Sequence, residues 1–347
     1  MRIGIIARSD NTGLGNQTRE LVSMLNPDKI MLIDFSPMNG NEQHPEWYYG
    51  YNCINVSGFA TDEQVINFLG GLDVVISCEI FYNHNLIKIA RSMGVKTVLQ
   101  YNFEFFDNFR DRNLDFPDAL IAPSLWNYEQ MEGFLRGRSK LVYIPPPTTP
   151  TPFLHSRELN MNNNFKRVLH VAGKRAARDR NGTDSVINMM KYSDAKFELV
   201  IRSQTPIAIP FSDNRIKIEV GNVDRREDLY SGFDAMVLPR RYAGLCLPMN
   251  EALMSGLPVF MTDISPNNKM LPKEWLVRSR VIGQLKTKTL LDLHDVNVRE
   301  LANRVDDYVE NKNKDIQKSR AVQIALDNFS PDVLKEKYLN LLKSLMG

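Results

Sequence analysis

The sequence predicts an α/β protein made of two doubly wound halves. Three observations carry this. The chain has 347 residues, more than one hydrophobic core usually serves. Short apolar runs alternate with stretches of helical spacing, the pattern of a parallel sheet covered on both faces. The alternation breaks once, at Pro145-Pro146-Pro147, Pro150, Pro152 and the polar run 160–164, and then restarts.

In the first half the apolar runs predict strands at 2–7, 30–33, 73–77, 95–99, 119–122 and 141–144. Helices are expected at 14–25, 62–69 and 85–93. In the second half strands fall at 167–171, 197–201, 216–220, 235–238 and 258–261, with helices at 183–190, 226–230 and 248–254. The tail reads as helical over 298–309, and Ser330-Pro331-Asp332 is a helix start: a capping hydroxyl, a proline at the first position, then an acid. Val333, Leu334, Tyr338, Leu341, Leu342 and Leu345 then make one apolar stripe. The expected boundaries are a first domain at 1–146, a linker at 147–165, a second domain at 166–328, and a terminal helix at 329–347 tying the halves together.

Lys and Arg number 43 and Asp and Glu 41, so the net charge of +2 excludes a histone-like or acidic-tail protein. The three cysteines, Cys53, Cys78 and Cys246, are odd in number and far apart. They suit free thiols in a reducing compartment and argue against a disulfide framework or a Cys-based zinc site. No signal-peptide core and no membrane-length apolar run is present, and a cytoplasmic location is expected.

Three segments carry chemistry. The first is 8–18, where Gly13-Leu14-Gly15 opens a helix after the first strand. Exposed amides at a helix N-terminus favour an anion or a sugar hydroxyl. With Asp34 at the end of the second strand, the loop partly matches the dinucleotide fingerprint. Thr18 occupies the third glycine position, however, and five residues separate the strand from Gly13, which disfavours an NAD-dependent oxidoreductase. The second segment runs from His170 to Thr183 and includes Lys174, Arg175, Arg178 and Arg180. It follows the first strand of the second half, where a doubly wound domain binds ligands, and its cations would neutralise a diphosphate or a nucleic-acid backbone. The third is 234–259, a proline-ended strand, a small-residue loop and a helix beginning near Pro248 with Glu251 in its first turn. Glu251 could accept bonds from vicinal hydroxyls such as those of a ribose, or simply favour the helix dipole.

This third segment resembles the donor-site signature of the retaining, family-4-type glycosyltransferases of GT-B fold. The matching positions are Pro239, Gly244, Leu247, Pro248, Glu251, Ala252, Gly256, Pro258 and Val259. Gly173-Lys174 and Arg180-Asn181-Gly182 look like the family's diphosphate-binding pair with Lys and Arg exchanged, and Gly13-Leu14-Gly15 also fits. The resemblance covers nearly the whole chain. It implies two Rossmann-like doubly wound domains facing a cleft, and transfer of a sugar from a nucleotide-diphosphate sugar, UDP-linked, to a hydroxyl with retention and without metal. The donor would meet Gly13, Leu14, Gly15, Gly173, Arg175, Arg240, Tyr242, Gly244, Leu245, Cys246, Leu247 and Glu251. The family's first motif glutamate is Ala243 here, so Arg240, Arg241 or Tyr242 would have to take over sugar contacts. A non-catalytic nucleotide-sugar or DNA-binding module is the reading favoured if Ala243 means lost chemistry.

Lys174, Arg175 and Arg180 are the candidates for stabilising the departing diphosphate. Glu79 and Glu104, at the ends of two strands of the first half, are candidates for orienting the acceptor. No Asp-x-Asp triplet occurs, in keeping with a metal-independent route. The loops of the first half are aromatic, and the chain is similar in look to bacteriophage-encoded members. That suggests a 5-hydroxymethylated pyrimidine base in DNA as acceptor, flipped out to reach the site, with a glycan or a small molecule as the alternatives.

Overall fold

The computed structural model describes residues 1–107, 115–174 and 179–347. The strands are β1 (Ile3–Arg8), β2 (Lys29–Asp34), β3 (Cys53–Ser57), β4 (Val74–Cys78), β5 (Lys96–Gln100), β6 (Ala119–Ala122), β7 (Lys140–Tyr143), β8 (Arg167–Gly173), β9 (Glu198–Ser203), β10 (Ile216–Val220), β11 (Ala235–Leu238), β12 (Val259–Thr262), β13 (Leu276–Val277), β14 (Ser279–Lys286) and β15 (Leu290–Val296). The described α-helices are α1 (Gly13–Leu25), α2 (Ser36–Asn39), α3 (Asp62–Leu69), α4 (Leu86–Ser92), α5 (Tyr128–Leu135), α6 (Leu154–Asn162), α7 (Thr183–Met189), α8 (Leu247–Met254), α9 (Val298–Glu310), α10 (Lys314–Phe329) and α11 (Pro331–Met346).

Two compact units result: Met1–Pro147 together with Pro331–Gly347, and Thr148–Ser330. The first holds a seven-stranded parallel sheet of order β3-β2-β1-β4-β5-β6-β7. The second holds a six-stranded parallel sheet of order β10-β9-β8-β11-β12-β13. Central strands such as β4, β6, β11 and β12 are buried along their whole length, which is why they read as unbroken apolar runs. Order reverses between β1 and β4 in one sheet and between β8 and β11 in the other. Loops leaving these neighbours part at the carboxyl edge and open the crevice where doubly wound sheets bind ligands.

The final helix completes the first unit. Leu334, Tyr338, Leu341 and Leu342 of α11 are buried in one cluster with Ile5, Ile30, Val98 and Ile121. Of the apolar stripe read from sequence, these four pack there with Leu345 partly buried against them, whereas Val333 is exposed.

The structure differs from expectation in several places, and α2, α5 and β13 also have no expected counterpart. Residues 147–165 are not a featureless linker, because α6 lies within them. Asn160 is buried, donates to the carbonyls of Tyr230 and Ser255 at 2.8 and 2.9 Å, and accepts from the amides of Gly232 and Phe233 at 2.9 and 3.2 Å. The polar run thus has a great deal to bond, though little to bury apolarly. β3 has no predicted counterpart: it is a half-exposed edge strand whose polar members hide the pattern. The antiparallel hairpin β14–β15 is missed for the same reason, β14 being almost wholly exposed. Residues 226–230 form a 3-10 rather than an α-helix. The tail contains α10 between its two expected helices. Among the described residues no helix is long and apolar enough to cross a membrane.

Candidate functional site

At the switch point of the second sheet, the loops after β8 and β11 enclose a cavity of about 250 Å³ within that unit. Its lining includes Lys174, Asp179, Arg180, Asn181, Arg240, Leu245 and Cys246. Sequence reasoning separated the basic loop from the proline–glutamate segment by about sixty residues, and parallel pairing of β8 with β11 brings them together. Arg175, also expected here, lies outside the described residues.

Several bonds fix this wall. Buried His170 on β8 bonds the Val237 carbonyl through Nδ1 at 2.8 Å and the Thr183 hydroxyl through Nε2 at 3.0 Å. Burial pushes its pKa below the ordinary value, so the ring is a neutral strut. Asp179 accepts the amides of Thr183 and Asp184, both at 2.9 Å, and so caps the seven-residue α7. The anion at this helix start is therefore a protein carboxylate, and a ligand anion must be met by side chains. Gly182 lies against β11's end: with φ of +73°, a Cβ there would collide with the Pro239 carbonyl oxygen. The Asn181 amide reaches the carbonyls of Val171 and Ala172 at 3.2 Å.

The cations are held differently from one another. Lys174 is exposed at the rim. Arg180 donates to the Ala243 carbonyl at 3.0 Å and stacks on Tyr242, its guanidinium carbon 4.9 Å from the ring centroid. Ala243, standing where the resembling family has a glutamate, thus contributes its backbone to the cation. Arg240 is only 4% exposed. Its Nη1 donates to the carbonyls of Gly244 and Leu245 at 3.2 and 3.1 Å, and its buried Nε has no acceptor among the described residues. No carboxylate among them pairs with it. A buried, unneutralised guanidinium on a cavity wall is costly unless an anion arrives.

Glu251 stands elsewhere. α8 begins at Leu247, with Pro248 at its second position, so Glu251 is the fifth helical residue and outside the first turn. The residue is buried; its carboxylate accepts the Tyr230 hydroxyl at 2.6 Å and lies 3.4 Å from Arg226 Nε. It does not line the cavity, whereas Leu245 and Cys246 do and Tyr242 backs Arg180. Gly244 and Leu247 belong to the same loop and helix start.

In the first unit, Thr12 caps α1 by accepting the Gly15 amide at 3.2 Å. Gly13 and Leu14 are the helix's first residues, and a Cβ on Gly15 would strike the Asp10 carbonyl oxygen. Gly15 is thus required by the fold of its own loop, in which Asp10 also pairs with Arg8 and accepts the Thr12 hydroxyl at 2.7 Å. Glu79 and Glu104 both stand beyond the carboxyl ends of their strands, β4 and β5. Burial, and then the charge of Glu104, raise the Glu79 carboxyl above its ordinary pKa, partly offset by Arg8 and Asn102. Glu79 has φ of +66°, an uncommon backbone for a residue with a side chain.

No family model and no curated protein matches the sequence. Solved structures do. A glycosyltransferase from Rickettsia africae superposes with a TM-score of 0.68 at 12% identity, over 99% of this chain and 98% of that one. Anabaena HepE in complex with UDP gives 0.69 at 14% identity, over 99% and 100%. Sucrose-phosphate synthase from Thermosynechococcus elongatus gives 0.64 at 12%, over 100% and 99%. At such identities the likeness shows the fold: two Rossmann-like domains of the GT-B glycosyltransferase type.

Proposed function

We propose that this chain is a nucleotide-sugar-dependent glycosyltransferase whose donor diphosphate sits in the cavity at the carboxyl edge of β8 and β11. The observation that carries the reading is the buried Arg240, without a carboxylate, on the same wall as Lys174 and Arg180. Among the described residues, three cations against one acid already used as a helix cap favour a ligand with two or more negative charges. The structural likeness to HepE, whose complex contains UDP, supports a uridine diphosphate donor.

In the proposed reaction the acceptor hydroxyl oxygen bonds to the anomeric carbon, the bond from that carbon to the diphosphate oxygen breaks, and the diphosphate leaves with the electron pair. Lys174, Arg180 and Arg240 stabilise the charge that develops on it. Retention and independence of metal follow from the sequence resemblance to the family-4-type enzymes, in which the departing phosphate oxygen can take the acceptor proton. Glu251 is proposed for the ribose on the same resemblance. Since Tyr230 and Arg226 already hold its carboxylate, ribose hydroxyls would have to join or displace them.

The test is a thermal-shift series with UDP, other nucleoside diphosphates and NAD(H), followed by transfer assays with a nucleotide-sugar panel. Stabilisation by UDP, and turnover reduced strongly in Arg180→Ala, are expected. Stabilisation by NAD(H) alone would sink the proposal.

A further inference from the structure

The second unit has another, larger cavity, at the opposite edge of its sheet from the donor cavity. Its volume is about 720 Å³. Met161 to Asn164 and Lys166 line it from before β8, Asp194 and Lys196 from before β9, and residues between 309 and 318 from where α9 ends and α10 begins. β8 and β9 run parallel, so both of the first two segments stand at the amino edge. The donor cavity lies beyond the carboxyl ends. The seven residues of β8 put roughly 20 Å between the two.

Two buried lysines stand in its wall, and they are satisfied unequally. An ammonium has three protons to donate. Lys318, 1% exposed, uses all three: on the carbonyls of Asn160 and Asn163 at 2.6 and 2.8 Å, and on the Asp234 carboxylate at 3.1 Å. Lys314, 6% exposed, uses one, on the Asn164 side-chain oxygen at 2.9 Å, and its Nζ lies 5.9 Å from the Tyr308 ring centroid. No carboxylate among the described residues is within ion-pair distance of it. Burial lowers its pKa, the charges of Lys318 and Lys166 lower it further, and Asp234 offsets part of this. Lys166 is exposed, also has no ion-pair partner among the described residues, and has a φ of +50°, uncommon for a residue with a side chain. Three ammoniums thus share the one carboxylate of Asp234, and two of them line the cavity with protons that no described protein group takes. An anion there would relieve the cost of the buried charge. Asp194, Glu310 and Asp315 also line the cavity, but they are exposed and pair with none of these lysines.

We propose that this cavity is a second ligand site, for a phosphate monoester of a polyol such as a phosphorylated sugar, with the phosphate on Lys166 and Lys314. The volume is far more than a lone phosphate fills, and it lies in the range of small-ligand sites. The amides of Asn162, Asn163 and Asn164 and the three carboxylates can meet hydroxyls, the amides as donors or acceptors and the carboxylates as acceptors. The same carboxylates oppose a second phosphate group and a nucleic-acid backbone. Among the described residues no aromatic ring lines the cavity, so a nucleobase would find no stacking face. The ligand is therefore of a different class from the nucleotide of the donor cavity. The site stands on these residues alone and does not depend on the reading of the chain as a glycosyltransferase.

The test is calorimetric titration of the full chain as wild type, Lys314→Met and Lys166→Ala. The probes are glucose 6-phosphate, glycerol 3-phosphate, glucose and inorganic phosphate, each with excess UDP present to occupy the donor cavity. At least one monoester should bind more tightly than inorganic phosphate, and glucose should not bind. Affinity for that monoester should fall roughly tenfold or more in Lys314→Met and should also fall in Lys166→Ala, with UDP affinity the same in all three proteins. Lys314→Met exchanges a buried charge for an apolar chain of similar length, and Lys166 is exposed, so both variants are expected to fold; the unfolding midpoint checks this. No binding of either monoester, equal binding in either variant, inorganic phosphate bound as tightly as the monoesters, or a UDP affinity that falls with the lysines would overturn the proposal. Failure of wild type to bind UDP would instead remove the donor reading, and dependence on Lys314 would still decide this site.

Discussion

Replacing Arg240 with methionine removes a buried charge while keeping most of the side-chain volume, and so separates a ligand role from a structural one. In the ligand-free protein two terms oppose. The two bonds from the guanidinium to Gly244 and Leu245 contribute about 3–6 kcal/mol together, whereas burial of a guanidinium without a counter-charge costs several kcal/mol. The unfolding midpoint should therefore move by only about a few degrees, in either direction. With UDP the balance is one-sided. A charge-assisted bond to a diphosphate oxygen contributes about 1.5–3 kcal/mol, so its loss weakens binding by roughly 10–150-fold. Wild type at a UDP concentration of about 100 Kd gains about 2.7 kcal/mol, a rise of roughly 5–10 °C for a domain of this size. The assay is differential scanning fluorimetry with and without UDP, backed by calorimetric titration. A ligand-free midpoint lowered by about 10 °C or more, with UDP affinity intact, would refute the reasoning and make Arg240 a packing residue.

Asp179→Ala removes the cap of α7 and should lower the stability of the second unit by about 1–2 kcal/mol, read by denaturant titration. Asn160→Ala strands two buried carbonyls and two buried amides at once; a loss of about 3 kcal/mol or more is expected, and a loss under about 1 kcal/mol would contradict the bonding described. Glu79 supplies a pH test. Burial first, and Glu104 second, raise its carboxyl above the ordinary value, so the fold favours the protonated form. Its contribution to stability is fully present below the ordinary carboxylate range and is lost as pH rises through the raised value. Glu79→Gln should leave the midpoint unchanged at about pH 4 and raise it at about pH 8; a variant that is less stable at alkaline pH would reverse the sign and contradict the burial.

The parts of the fold legible in the sequence were those whose residues face apolar surroundings on every side. β4, β6, β11 and β12 are buried throughout, and such runs admit few other readings. The unread parts were those whose energetics are polar or one-sided. α6 is held by Asn160 and by Lys318, which donates to the Asn160 and Asn163 carbonyls and pairs with Asp234 at 3.1 Å, and nothing in a run of asparagines announces buried partners. β3 has a single buried residue and β14 is almost wholly exposed, so alternation is blurred. At the site, residue types named the cavity wall better than they named roles. Lys174, Arg180 and Arg240 line one cavity, although the sequence put only the first two at the diphosphate and Arg240 at the sugar. Sequence could not show that Tyr230 and Arg226 hold Glu251, because partners more than twenty residues away are set by tertiary packing; Asp179 lies only four residues before Thr183, but its turn is set by the loop and not by a residue pattern. Arg240 itself had one available signal, a cation directly after a buried strand and its terminal proline.

The claim on which everything else rests is that the second unit holds a nucleoside diphosphate at the β8–β11 switch point. Hydrogen–deuterium exchange of the full chain with and without saturating UDP tests it directly. Protection should concentrate in peptides covering 171–183 and 239–248, and at a UDP concentration near the wild-type Kd it should be largely lost in Arg240→Met. Protection centred instead on 8–18 of the first unit, or none at all at saturation, would contradict it.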